Sequence, residues 1–306
     1  MQSITGQRAV DLSEFLQEDV LGWDYETLFD ETVIGLPEGG ELLVDIFVAP
    51  KENTSRMNAR AVYSSSDKRV LQGQEYVVLT WTKETLTQVV GFREVIPGKH
   101  FEQVDEMLRH LLALGLQMKR VQADGAYFKS GFCRYLNTLA LELISKPRRD
   151  SWWWHGNQRI QLKKWASSLP VESFHYYPKQ RVYARSFVMS RHDCKPCRIV
   201  VIRPKRSCEA QRMLFYLSTD PHLTTQEIIA GYRRRWRIET VFRDCNQNLG
   251  LKAHQGFSQT SVRHVAMVFL TYNLLAQFKA QMGKTIGRLV KMFQQGLNPI
   301  QTMLSG

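Results

Sequence analysis

Apolar residues recur at helical spacing most clearly between Thr224 and Lys252, where Ile228, Ile229, Trp236, Ile238, Val241, Phe242 and Leu249 form one stripe. Thr224 or Thr225 can cap its start and Gly250 can stop its end, so one long helix is expected. Phe101 to Met118 carries Val104, Leu108, Leu111, Leu112 and Leu116 at the same period, and Ser261 to Met282 predicts a second long amphipathic helix. Shorter helices are expected at Gly131 to Leu141 and Ile286 to Phe293, and a weak helical pattern runs through Leu12, Phe15, Leu16, Val20 and Leu21. The strand pattern is equally plain in Glu41 to Pro50, ELLVDIFVAP, a β-rich apolar run between Gly39-Gly40 and Pro50-Lys51. Ala59 to Ser64 and Tyr76 to Thr82 follow after short polar turns, which predicts a three-stranded antiparallel meander. Val121 opens a short strand that ends in Asp124-Gly125, and further strands are expected at Leu141 to Ser145, Val182 to Ser190, Arg198 to Arg203 and Phe215 to Ser218.

A meander, a crossover helix, a strand ending in a carboxylate, and further alternation of helix and strand describe an α/β protein with a mixed sheet flanked by helices. A chain of 306 residues with 43% hydrophobic content can build a substantial core, which excludes disordered and fibrous classes. The net charge of +12 points to a polyanionic partner, nucleic acid first among them. Five cysteines without a signal-like N-terminus suit reduced thiols in the cytoplasm. The longest apolar segment, Val265 to Ala276, is too short for a bilayer and is broken by Thr271 and Asn273, so no membrane partner is expected.

Candidate chemistry sits on three of these elements. Asp45 lies inside an apolar strand, where a charge needs a partner or a metal. Asp124 ends a strand, where α/β sheets place their sites. On the long helix, Tyr232, Arg235, Glu239, Arg243 and Asn246 fall within a sector of about 80°. A carboxylate framed by arginines suits a hard cation beside a phosphodiester; the plain alternative is a solvated helix face with weak salt bridges. Residues 147 to 212 cluster Arg and Lys with Trp152, Trp153, Trp154 and Trp165, a mixture suited to phosphate and unpaired bases or to an aromatic core. Cys194 and Cys197, with His192 and Cys208 nearby, lack a second well-spaced ligand pair and read as a turn with free thiols in preference to zinc.

The order Tyr232-x2-Arg235-x3-Glu239, with Trp236 and Ile238 in an RWxIE setting, resembles the signature helix of bacterial insertion-sequence DDE transposases of the Tyr-Arg-Glu-Lys group. VDIFVAPK with Asp45 and ADGAYF with Asp124 resemble that family's other two acidic motifs, so the resemblance covers about residues 41 to 280. Asn246 stands where the signature has Lys, and Asp30 in FDETV is a rival for the first carboxylate. The resemblance implies a ribonuclease-H-like fold with a β-rich insertion between the fifth strand and the Glu-bearing helix. It divides the chain into a short segment 1–40, core 41–146, insertion 147–212, core 213–282 and a tail 283–306. It implies a DNA transposase in which Asp45, Asp124 and Glu239 bind two Mg²⁺ ions, replaceable by Mn²⁺, for phosphodiester hydrolysis and strand transfer. Tyr232, Arg235, Arg243, Asn246 and one of Trp152, Trp153 or Trp154 would contact DNA. The implied partners are double-stranded terminal inverted repeats and target DNA, with a homodimer assembled on them at the bacterial nucleoid. A nuclease of the same fold that cuts without joining, or an inactive DNA-binding remnant, are the alternatives.

Overall fold

The computed structural model describes residues 24–51, 59–64, 68–191, 194–254 and 258–297. The expected pattern at Leu12 to Leu21, and His192, lie outside the described residues. The chain forms two compact units, one of Met1–Gly40, Asp45–Gln117 and Arg237–Gly306, the other of Glu41–Val44 and Met118–Trp236.

Among its described residues the first unit begins with α1 (Tyr25–Ile34), whose N-cap Asp24 accepts the Glu26 N–H. Strand β1 (Glu41–Pro50) joins β3 (Arg69–Lys83), which also pairs antiparallel with β2 (Arg60–Ser64) and β4 (Leu86–Glu94). The meander therefore has a fourth strand beyond the three expected, since the polar residues and Gly91 of LTQVVGFRE blur its alternation. Its register slips between Leu79 and Thr80, and Asn273 satisfies the irregularity: its Oδ1 accepts the Val89 N–H at 2.8 Å and its Nδ2 donates to the Val89 carbonyl at 2.7 Å. Asn273 belongs to α7 (Ser258–Met282), so the polar break in that apolar segment serves the sheet it packs on. Helix α2 (His100–Ala113) buries Val104, Met107, Leu108 and Leu111 and is shorter than the apolar period suggested, because Gly115 takes a positive φ of 87° just past its end. Phe47, Tyr76, Phe92 and Phe269 join in ring contacts at the core, and α8 (Ile286–Gln294) is capped by Thr285.

In the second unit, Leu42, Leu43 and Val44 of β1 pair in parallel with Val121, Gln122 and Ala123 of β5 (Arg120–Ala123). Helix α3 (Ser130–Thr138) connects β5 to β6 (Glu142–Ser145), again parallel. Strand β12 (Leu214–Ser218) pairs antiparallel with β6 and starts an antiparallel run through β11 (Cys194–Arg203) and β10 (Val182–Arg191). Strand β10 also pairs with β9 (His175–Tyr177) and with β7 (Trp152–His155), whose partner is β8 (Gln158–Gln161), followed by α4 (Leu162–Ser167). The strands expected at Val182 and Arg198 are present, whereas β7, β8 and β9 have no alternating pattern that announces them. Cys194 and Cys197 open β11 and are not a turn; Cys197 and Cys208 are buried.

Helix α5 (Thr225–Arg234) covers β10, β11 and β12 with Ile228, Ile229 and Tyr232, and α6 (Trp236–Asn248) follows. The expected single helix is thus interrupted at Arg235, which keeps a right-handed helical backbone while its N–H bonds to the Tyr232 carbonyl, three residues back. That contact tightens one turn to 3₁₀ spacing, a distortion an apolar stripe does not record. Gly250, with φ of 72°, ends α6, and the Leu249 and Leu251 N–H groups close on the Cys245 carbonyl.

Candidate active site

Asp45 stands within β1, and Asp124 follows the last residue of β5, whose Ala123 pairs with Val44. Asp45 Oδ1 accepts the Ile46 N–H at 2.9 Å, and Asp124 Oδ1 accepts the Gly125 N–H at 2.7 Å, so each carboxylate is oriented by its own backbone. Asp124 is exposed and caps a 3₁₀ turn, Gly125–Tyr127, while its carbonyl accepts the Ser145 hydroxyl at 2.9 Å. Gly125 has no room for a side chain, because a Cβ there would stand 2.9 Å from the Lys146 carbonyl oxygen. Asp30, the rival acid, lies on α1 and meets His110 Nε2 at 2.7 Å.

Helix α5 begins with a reciprocal capping box between Thr224 and Glu227. Its last turn is tied to the start of β1: Arg234 forks onto Glu41, which also accepts the Gln122 amide at 2.8 Å. Gly231 permits the approach, since a Cβ would meet Ile144 Cδ1 at 2.6 Å. Tyr232 is only 5% exposed, stacks on Tyr216 with centroids 4.3 Å apart, and carries Lys146 Nζ over its ring at 5.0 Å and the Arg235 guanidinium at 5.5 Å. Burial pushes the Tyr232 phenol well above its ordinary value, opposed by Arg235 and reinforced by Asp124. Arg235 itself is 9% exposed. A nearly buried guanidinium beside aromatic rings is pre-oriented, so an anion that meets it needs little side-chain ordering. Lys146 and Glu41 had no signal in the pattern; each stands at one end of an apolar strand, and only the pairing of strands shows its use.

The remaining signature residues lie on α6. Glu239 and Asn246 are half-buried and Arg243 is exposed, with its Nη2 3.5 Å from Thr240 Oγ1. Asp244 meets Lys279 at 4.0 Å, and its burial raises the carboxyl above the usual range. Phe242 contacts Phe47 at a centroid distance of 5.6 Å. Asp45 lies two residues before Phe47 on β1, and Glu239 three residues before Phe242 on α6. Lys51 is buried, donating to the His254 carbonyl and the Ser261 hydroxyl at 2.8 Å each.

The three tryptophans of β7 divide by strand alternation: Trp152 and Trp154 are 52% and 44% exposed, and Trp153 is fully buried. Trp152 carries the Arg159 guanidinium at 4.9 Å. Among the described residues no three His, Cys, Asp or Glu side chains are grouped closely enough to hold a metal ion, and no helix is long and apolar enough to cross a membrane.

A family model described as "Transposase DDE domain" matches residues 52–274, more than half of the chain, and the protein belongs to this family. The match contains Asp124 and Glu239 and begins after Asp45. Among solved structures, a chain of the Drosophila P element transposase strand transfer complex is similar at 14% identity with a TM-score of 0.21, over 53% of this chain and 50% of that one. The protein thus spans half the length of that relative, and so slight a likeness leaves the assignment resting on the family match. No curated protein matches the chain.

Proposed function

We propose that the protein is a transposase that cuts DNA at the ends of a mobile element and joins them to target DNA. In this reading it is a bacterial insertion-sequence enzyme of the Tyr-Arg-Glu-Lys group with a ribonuclease-H-like core, and residues 147–212 are its DNA-contacting insertion. The observation that carries the proposal is the exposed Asp124 carboxylate at the end of β5, in a chain of the DDE family whose match also contains Glu239. Asp45, Asp124 and Glu239 would be the oxygen donors that hard cations take, and the exposed Asp124 carboxylate, oriented by the Gly125 N–H, suits such a ligand. Two Mg²⁺ ions bound there would activate the attacking water or 3′-hydroxyl and stabilise the leaving oxygen.

Arg235 holds phosphate oxygens of the strand under attack with its planar fork, and the buried Tyr232 ring backs that guanidinium. Arg243 supplies part of the positive charge absent at Asn246, and Trp152 or Trp154 stacks on a base displaced from the duplex. The working form is a homodimer assembled on double-stranded DNA at the nucleoid.

The test uses the purified protein with Mg²⁺ and a plasmid that carries its gene with the flanking DNA. Cleavage at two defined ends and joined products are expected, with both lost in Asp124→Ala while duplex binding persists. Cleavage without joined products would make the protein a nuclease, and binding without cleavage would make it an inactive DNA-binding member of the family.

A further inference from the structure

The insertion does more than offer exposed rings, because its one buried tryptophan grips the loop that carries Asp124. That loop leaves β5 at Asp124, turns through Gly125–Tyr127 and ends at Phe128, with the Tyr127 N–H on the Asp124 carbonyl and the Phe128 N–H on the Gly125 carbonyl. The Phe128 ring lies nearly parallel to Trp153 of β7, with centroids 5.8 Å apart and planes 14° from parallel. Arg191, at the end of β10, stands over both rings, 5.6 Å from Phe128 and 5.5 Å from Trp153. The Trp153 indole N–H donates to Ser151 Oγ at 2.8 Å, which fixes the ring in its plane. At the other end of the loop, the Ser145 hydroxyl of β6 donates to the Asp124 carbonyl, and Gly125 passes so close to the Lys146 carbonyl that no side chain fits between them.

The five-residue path from Asp124 to Phe128 thus has one end pinned at β6 and the other at β7 and β10. Between the two ends Tyr127 is buried against Phe132, with ring centroids 5.5 Å apart, so Phe128 is the loop's outer anchor and Tyr127 its inner one. We infer that Phe128, Trp153 and Arg191 form a positioning clamp that sets the Asp124 carboxylate for cation binding, so that the insertion is a structural part of the site. The inference rests on the proposed metal role of Asp124 for its consequence, and on geometry alone for the clamp. None of the three side chains touches the reacting atoms; they act through the loop. Trp152 and Trp154 flank Trp153 on the opposite face of the same strand, so a base stacked on them loads the strand that holds the clamp.

The experiment compares the full-length wild-type chain with Phe128→Leu, Phe128→Tyr and Asp124→Asn. Leu fills the space without a stacking face, and Tyr restores the ring. Amide hydrogen exchange over residues 120–130 should quicken about tenfold in Phe128→Leu and return to the wild-type rate in Phe128→Tyr, with α5 peptides unchanged in both. Mn²⁺ affinity, followed by the electron-spin resonance of free Mn²⁺ without DNA, should fall about tenfold in Phe128→Leu and recover in Phe128→Tyr. Wild-type exchange in Phe128→Leu, or equal loosening in Leu and Tyr variants, overturns the clamp. A loosened loop with undiminished Mn²⁺ affinity, where Asp124→Asn abolishes binding, overturns its role in the site. Unchanged Mn²⁺ binding in Asp124→Asn defeats the proposed metal role of Asp124 instead, and leaves the clamp to be judged by exchange.

Discussion

The two halves of the signature segment treat the same kinds of polar residue in opposite ways. Up to the interruption, Tyr232 is sunk among Ile144, Tyr216, Ile228 and Ile229, Arg235 is nearly buried over the Tyr232 ring, and Arg234 is locked onto Glu41. After it, Glu239 and Asn246 are half-buried and Arg243 faces water. Helical spacing alone puts all five on one face; the sheet beneath α5 decides that the first two work from a dry, fixed environment. Charge is therefore presented rigidly by the front half and more loosely by the rear.

The comparison is tested most severely at the acids. Glu239→Ala on the rear half and Asp124→Ala at the strand end should each lower cleavage at least about a thousandfold, the scale of several kcal/mol of lost charge stabilisation. Cleavage assays beside duplex-binding titrations check this, and near-normal cleavage in either variant would remove that residue from the site. Next in size is the arginine contrast. Arg235→Lys should lose about tenfold in cleavage because a point charge lacks the planar fork and the ring contact, whereas Arg243→Lys should change little. Equal effects at the two positions would erase the distinction between the halves. Asn246→Lys, which would complete the Tyr-Arg-Glu-Lys pattern that the helix resembles, should raise cleavage about twofold.

Stability provides the finer contrast. Thr224→Ala breaks the capping box of the front half and should cost about 1 kcal/mol in denaturant unfolding, without altering the metal dependence of cleavage. The smallest effect expected is at His264, which donates from Nε2 to the Gly250 carbonyl at the end of the rear half. Burial holds its folded-state value below the ordinary 6.5, so its contribution to stability is present above pH 6.5 and is lost as pH falls through the lowered value. His264→Gln should flatten that acid-side slope in thermal unfolding scans.

Periodicity and spacing alone located most helices and the strands around Asp45 and Asp124, because helices and half-buried strands repeat every 3.6 and 2 residues. Motif order was enough to suggest the family, and the match over residues 52–274 agrees. What periodicity could not carry was anything set by partners distant in sequence. The fourth meander strand is defined by its pairing with β3, and the break at Arg235 by a tightened turn between two separately packed helices. The fate of three consecutive tryptophans was equally invisible: all three have the same side chain, and strand alternation together with Phe128 and Arg191 buries only Trp153. Composition and local spacing determined which residues were available, while tertiary packing decided which of them are dry, fixed and able to act on one another, since burial is a property of neighbours that the chain brings from far along its length.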